Sequence, residues 1–499
     1  MRARPKRNED KAMDDSSVRL LSPSGTVVSV DKAILSRLAA GDVLIPSLSG
    51  EPLILGKSEQ EAVAASVTRS LAAFRGMLSA TDAQVVAFFA HAAARLGDDA
   101  VWDAICRTND ADVAAAEAAG RHVGRLRLSE KVRRDMIAGL QTWGASQSIR
   151  GHVIETREHE GFRVELVREA LGIVGFVFEG RPNVVVDACG VLRGGNVAVL
   201  RIGRDALRTA QAIEALAIRP ALAEAGLPVD AFIILDSQKH EAAWALFLDK
   251  RVSLAVARGS GPAVEFLGSL ARGVGTPVSL HGTGGAWMFT TAFTDGARFE
   301  EAVGRSLDRK VCNTLNTCCI PTAQAAALLP RFVAGLKHAL VTGKKDSVSL
   351  HVAHEAGSAD AFDRLRGLLA EQLGADVRVA IERIETARLG IEWEWESTPE
   401  LSVVLVDGLD SAIDLFNDLS PRFVATLVSD DPAEHAQLWQ RAEAPFVGDS
   451  LTRWVDGAYA LSKPELGLSG WGNGRLFGRG GILCGDDVFT VRTRYVSRR

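Results

Sequence analysis

The sequence predicts an α/β protein of two lobes, each a parallel β-sheet covered by helices, with a long hairpin standing beside them. Three observations lead there. Apolar strand-like runs alternate with helical runs through most of the chain, and strands joined by helices pair in parallel with both faces covered. Period-two alternation in "SIRGHVIETREHEGFRVELVREALGIVGFVF" marks a hairpin running into a buried strand. At 499 residues with 47% hydrophobic content, the chain is long enough to bury more than one core.

The elements follow in order. Residues 1 to 17 are charged and polar and read as a disordered tail, and residues 18 to 57 read as an N-terminal extension. Within it "TVVSV" and "DVLIPSL" are short strands around a helical "DKAILSRLAAG". Glu59 to about Gly120 keeps apolar residues at helical spacing and forms a helical layer. The hairpin, residues 150 to 168, turns at His159-Glu160-Gly161 and leads to a buried strand, Ile173 to Phe178. "NVAVLRIG" is the next strand, "RDALRTAQAIEALAIRPALAEAGLP" a helix stopped by Gly226 and Pro228, and "AFIIL" a further strand. "RVSLAVARGSGPAVEFLGSLA" repeats the unit as strand, tight turn and helix. After the cysteines the alternation returns in "LSVVLVDGLDSAIDLFNDL" and "FVATLVSDDPAEHAQLWQRA". The lobes divide near residues 285 to 290, the first spanning 58–287 and the second 288–450, and residues 451–499 form a C-terminal segment.

Composition excludes several classes. A formal net charge of -5 gives no basic footprint for nucleic acid, and no apolar run is long enough for a bilayer. Six cysteines without CxxC spacing suggest neither a disulfide scaffold nor a metal. We expect a cytoplasmic protein acting on small molecules, with no metal, membrane or nucleic-acid partner.

Three of the six cysteines lie in "SLDRKVCNTLNTCCI", Ser306 to Ile320. Cys318 and Cys319 fall in an apolar run, where thiols pack as small hydrophobes. Cys312 sits among polar residues after Arg309 and Lys310, and positive charge there would lower a thiol pKa. The Arg258-Gly259-Ser260-Gly261 turn opens a helix, whose exposed N–H groups suit an anion, although glycine also serves packing.

"REALGIVGFVFEGRPNVVVDACGVLRGGNVAVLRIGRDAL", "LAVARGSG", "VCNTLNT" and "TRWVDG" resemble, in order and spacing, the gamma-glutamyl phosphate reductases. These belong to the aldehyde dehydrogenase superfamily, which implies an aldehyde-dehydrogenase-like fold with a nucleotide-binding lobe (58–287), a catalytic lobe (288–450) and an oligomerising hairpin. It also implies that the C-terminal segment, 451–499, returns to the first lobe and to an oligomer interface, and that the protein is a homo-oligomer, dimer or tetramer. The resemblance makes Cys312 the nucleophile and Asn183 an oxyanion donor together with the Cys312 N–H. It implies NADPH/NADP as cofactor, lined by Arg201, Gly203, Arg258, Gly259, Ser260 and Gly261. Arg181, Thr452 and Arg453 would bind the acyl substrate, a phosphate or a thioester.

The implied activity is NADPH-dependent reduction of gamma-glutamyl phosphate to the semialdehyde through a cysteine thioester, as in proline biosynthesis. Reduction of another acyl phosphate, an acyl-CoA or a carrier-bound thioester is the alternative, and a non-catalytic nucleotide-binding relative is a third class. Where hydrolytic relatives carry a water-activating glutamate, "PVSLHGTGGAW" puts Leu280, with His281 next to it on the opposite face of a strand. Since the resemblance begins only near Ala83, removal of residues 1 to 50 is expected to leave an active enzyme.

Overall fold

The computed structural model describes residues 17–21, 27–46, 52–121, 123–354, 359–472, 475–476 and 480–498. The expected tail lies outside the described residues except Ser17, which opens the strand Ser17–Leu21. The fold is the predicted one. A five-stranded parallel sheet runs in the order Val278–His281, Val252–Arg258, Ile173–Phe178, Val197–Ile202, Phe232–Ile234. Every residue of Ile173–Phe178 and Val197–Ile202 is buried, as expected for strands covered on both faces. Chain order reverses between Ile173–Phe178 and Val252–Arg258. At such a switch point the loops leaving the carboxyl ends of neighbouring strands diverge and open a crevice. The loops concerned are those two that the sequence singles out, Glu179 to Asn183 and Gly259 to Gly261.

The helical layer is Lys57–Met77, Asp82–Gly97 and Asp99–Ala118. Its corners are written locally: Thr81 and Gln84 form a capping box, and Asp98 accepts from the Val101 N–H at 3.0 Å. The helix expected after Ile202 is interrupted, with α-helical Leu207–Ile213 and Arg219–Glu224 around a π-turn, Glu214–Ile218. Pro220 has no N–H for the carbonyl of Leu216, and Arg95 Nη1 approaches that oxygen at 3.5 Å instead.

The second sheet has seven parallel strands, in the order Arg378–Glu385, Ser347–His354, Glu400–Val406, Leu315–Pro321, Ala286–Thr290, Val424–Val428, Phe446–Asp449. The chain leaves the first sheet at His281 and enters the second at Ala286, so Ala286 and Trp287 belong to the second lobe, two residues earlier than the expected division. The hairpin is Val153–His159 and Phe162–Ala170, and the final strand, Phe489–Ser497, pairs antiparallel with its second arm. Glu465–Leu468 returns to the first lobe, where Ser469 Oγ lies 3.1 Å from Ser279 Oγ. No described helix is long and apolar enough to cross a membrane, and all six cysteines are unpaired.

The N-terminal extension differs from expectation in being built into the lobe. Val43–Ile45 pairs with Leu53–Leu55, and Ile45 and Leu55 are buried in the core of the first lobe. The Asp42 carboxylate accepts from the Ala39 and Lys57 N–H groups, both at 2.9 Å, which fastens the hairpin to the start of the helical layer. Deleting residues 1 to 50 removes one arm of this pair and the Ile45 side chain. Loss of that side chain alone costs about 2–5 kcal/mol. Thermal unfolding of the truncated protein should show a clearly lowered midpoint; an unchanged midpoint would show the extension to be dispensable after all.

Candidate active site

Cys312 lies in the turn that precedes Leu315–Pro321 and is half-buried. Gly284 holds the turn by close approach: a Cβ there would lie 2.4 Å from Cys312 O and 2.8 Å from Cys312 Cα. The Gly285 N–H donates to Cys312 O at 2.6 Å. The N–H of Cys312 itself donates to nothing among the described residues, which leaves a fixed backbone donor beside the sulfur. Cys318 and Cys319 are fully buried in the next strand and enter different cores on opposite faces of the second sheet.

The expectation that basic neighbours lower the Cys312 pKa is overturned. Burial pushes the thiol up to about 12, helped by the charges of Glu465 and Glu392, against the smaller opposing effects of Lys310 and Arg453. Arg309 approaches the Asp308 carboxylate at 4.0 Å, and Lys310 is paired with Glu392. The positive charge of Lys310 is thus offset by Glu392, a partner that only the fold supplies.

The loop that follows Ile173–Phe178 carries Arg181 and Asn183. Arg181 is near enough for its charge and that of Cys312 to act on each other, and its Nε is buried with no partner among the described residues. Asn183 begins the short helix Val184–Cys189. Its side chain makes no capping bond, and its amide has no partner among the described residues. Behind them lies a cluster the sequence analysis did not identify. Arg258 Nη2 donates to the carbonyl of Glu465 at 2.6 Å, and its guanidinium lies 3.6 Å from both the Asp187 and Glu465 carboxylates and 5.3 Å over the Phe178 ring. Burial raises the pKa of Asp187 to about 7, and it raises that of Glu465 as well. Asp187 stands within the "EGRPNVVVDA" block, so that motif contained a signal for it; nothing marked Glu465.

The residues expected to line a cofactor divide into two groups. Gly203 and Gly261 have reasons within the chain: a Cβ on Gly203 would lie 2.7 Å from Gly180 N, and one on Gly261 2.0 Å from Thr283 Oγ1. Arg201 is buried and donates to the carbonyls of Gln238 and Lys239, both at 3.2 Å. Arg258 is held in the ion cluster. Gly259 and Ser260 remain open, since a Cβ on Gly259 would meet nothing closer than Val264 Cγ2 at 3.7 Å and the Ser260 hydroxyl caps nothing at the start of Gly261–Gly273. A thirteen-residue helix with an uncommitted first turn at the switch-point crevice fits the phosphates of a dinucleotide.

Of the expected substrate residues, Arg453 is tied to Asp308 at 2.7 Å and to Asn313 Oδ1, whose amide in turn donates to the Val455 carbonyl at 2.7 Å. Thr452 is fully buried; its N–H donates to Ser306 Oγ at 3.3 Å, and its hydroxyl has no partner among the described residues. Arg453 is near enough for its charge to act on Cys312. Leu280 packs against Gly268 of the helix Gly261–Gly273. His281 points the other way, with its ring 6.1 Å from that of Phe423, and burial together with Arg258 and Arg181 lowers its pKa to about 3.

No family model matches the chain. Among curated proteins it is similar to gamma-glutamyl phosphate reductase of Anaeromyxobacter dehalogenans, 33% identical over 305 residues that cover 57% of this chain and 69% of the relative. Among solved structures it is similar to gamma-glutamyl phosphate reductase from Thermotoga maritima, with a TM-score of 0.73 at 22% identity over 87% of this chain and 98% of that one. It is also similar to an acetylating aldehyde dehydrogenase from Geobacillus thermoglucosidasius, with a TM-score of 0.62 at 13% identity over 89% and 98% of the two chains. With a third of the residues identical over more than two thirds of the curated relative, the chain belongs to the gamma-glutamyl phosphate reductase family.

Proposed function

We propose that the chain reduces gamma-glutamyl phosphate to glutamate 5-semialdehyde through a thioester on Cys312. The observation that carries this reading is a half-buried cysteine with an unused backbone N–H, within charge reach of Arg181, whose Nε is buried without a partner among the described residues, in a family member. The thiolate attacks the acyl carbon, and the carbon–oxygen bond to phosphate breaks with its electron pair leaving on phosphate. The oxyanion formed at each addition would be held by two donors, the Cys312 N–H and, as the resemblance implies, the Asn183 amide. Arg181 would take the anionic end of the substrate. Because the free thiol is protonated at neutral pH, its proton leaves as substrate binds, and Glu465 and Glu392 are the carboxylates whose charge bears on it.

No side chain can deliver two electrons to a thioester, so a nicotinamide supplies the hydride; the resemblance points to NADPH, and Gly259, Ser260 and the start of Gly261–Gly273 would hold its phosphates. The thiohemiacetal then collapses, its carbon–sulfur bond breaking to return the thiolate and free the aldehyde. A reducing, cytoplasmic compartment suits the unpaired thiols. Exposed Ile154, Val491 and Tyr495 on the three-stranded sheet support a homo-oligomer built on the hairpin.

The reaction is tested in reverse. Glutamate semialdehyde with NADP should be oxidised only when inorganic phosphate is added, with little carboxylic acid formed in its absence. Leu280 can accept no proton, and an imidazole with a pKa of about 3 is a poor base at neutral pH. If CoA replaces phosphate, the substrate is a thioester. Steady hydrolysis that vanishes in His281→Ala would replace the reductase by a water-activating dehydrogenase.

A further inference from the structure

Taking Cys312 as the nucleophile leaves an ion pair beside it without a task. The side chains of Lys310 and Glu392 are 5% and 11% exposed. Lys310 Nζ bonds Glu392 Oε1 and lies 3.4 Å from both Glu394 Oε1 and the Val311 carbonyl. The other Glu392 oxygen accepts from the Gly284 N–H at 2.6 Å, on the glycine that packs against Cys312. On either side of Glu392 the chain is tied to the strand that follows the nucleophile: Asn316 Nδ2 donates to Ile391 O at 2.8 Å, and the Trp393 N–H donates to Asn316 Oδ1 at 2.9 Å. Burying two charges costs solvation that their attraction scarcely returns, so a stabilising role explains the pair poorly.

We propose that Lys310 and Glu392 form a positioning pair for Cys312, in which Glu392 fixes the Gly284 segment behind the turn and holds the Lys310 charge in check, so that the pair sets how readily the sulfur ionises. The inference rests on the reading of Cys312 as the nucleophile. Five charged groups bear on the sulfur from the elements around it. Arg181 comes from the loop after Ile173–Phe178, Glu465 from Glu465–Leu468 and Arg453 from the turn after Phe446–Asp449, while Lys310 and Glu392 complete the set. Arg453 is held by Asp308 and Glu465 lies against Arg258. Lys310 and Glu392 are coupled directly to each other, so changing either alters the balance in a known direction.

The test is the rate at which iodoacetamide labels Cys312 at fixed pH near 8, read by mass spectrometry of the peptide that carries it. Below the thiol's midpoint this rate follows the thiolate fraction. Glu392→Gln keeps an acceptor for the Gly284 N–H but removes the anion, and labelling should become about tenfold faster, the effect of a shift of one pH unit. Lys310→Met should slow it by about tenfold, and Lys310→Arg should restore the original rate. A loosened turn would speed labelling in both neutral variants, and that outcome, or unchanged rates in both, overturns the proposal. Should Lys310→Met fail to fold, the sign in Glu392→Gln still decides. Reductase turnover surviving in Cys312→Ala would overturn the functional reading separately, because the labelling rates report on the sulfur whatever reaction it serves.

Discussion

Cys312→Ala should lower reductase turnover by about a millionfold, the scale for deleting a catalytic nucleophile, while leaving the thermal unfolding midpoint almost unchanged. The stability expectation follows from the position of the residue: Cys312 is half-buried in a turn held by backbone bonds from Gly285 and by the close approach of Gly284, neither of which needs the sulfur. Cys318→Ala is the contrasting case. Cys318 is fully buried in the middle of the second sheet, paired in register with Met288 and Val403, so removing its sulfur leaves a small cavity. That should cost stability on the order of 1–2 kcal/mol and leave turnover per folded molecule intact. Near-native turnover in Cys312→Ala, or an equal loss in folded Cys318→Ala, would move the nucleophile elsewhere.

These two cysteines show what the sequence made legible and what it did not. Their roles could be told apart from their neighbours, because an apolar strand and a polar turn are local patterns. Ile173–Phe178 and Val252–Arg258 were equally plain, being mostly apolar runs that lead into turns containing glycine. Arg378–Glu385 was not identified, since as an edge strand it is mostly exposed and carries charges that blur the alternation. The sign of the Cys312 shift was missed for a related reason. Lys310 is visible beside the cysteine, whereas the burial that chiefly raises the thiol pKa, and the Glu465 and Glu392 charges that add to it, arise only through the fold. Glu465 is brought to Arg258 by a segment that returns to the first lobe.

Asn183→Ala should lower turnover by about 2.7–4 kcal/mol in barrier, the effect of removing one oxyanion donor. The competing role for an asparagine after Pro182 is structural, as the residue that caps the helix Val184–Cys189. An asparagine in that role accepts an N–H from the first turn through its side-chain oxygen, and its loss costs stability. Here the first-turn bond is made by the backbone instead, from the Val186 N–H to the Asn183 carbonyl at 3.0 Å, which alanine retains. The side-chain amide is left without a partner among the described residues, beside an arginine that feels the charge of Cys312. Replacing it should therefore leave the unfolding midpoint nearly where it was. Turnover should fall while the Michaelis constant changes little, because the oxyanion exists only after attack on the carbonyl. An effect confined to the Michaelis constant would make Asn183 a substrate-binding residue, and a lowered midpoint with normal turnover would make it a cap.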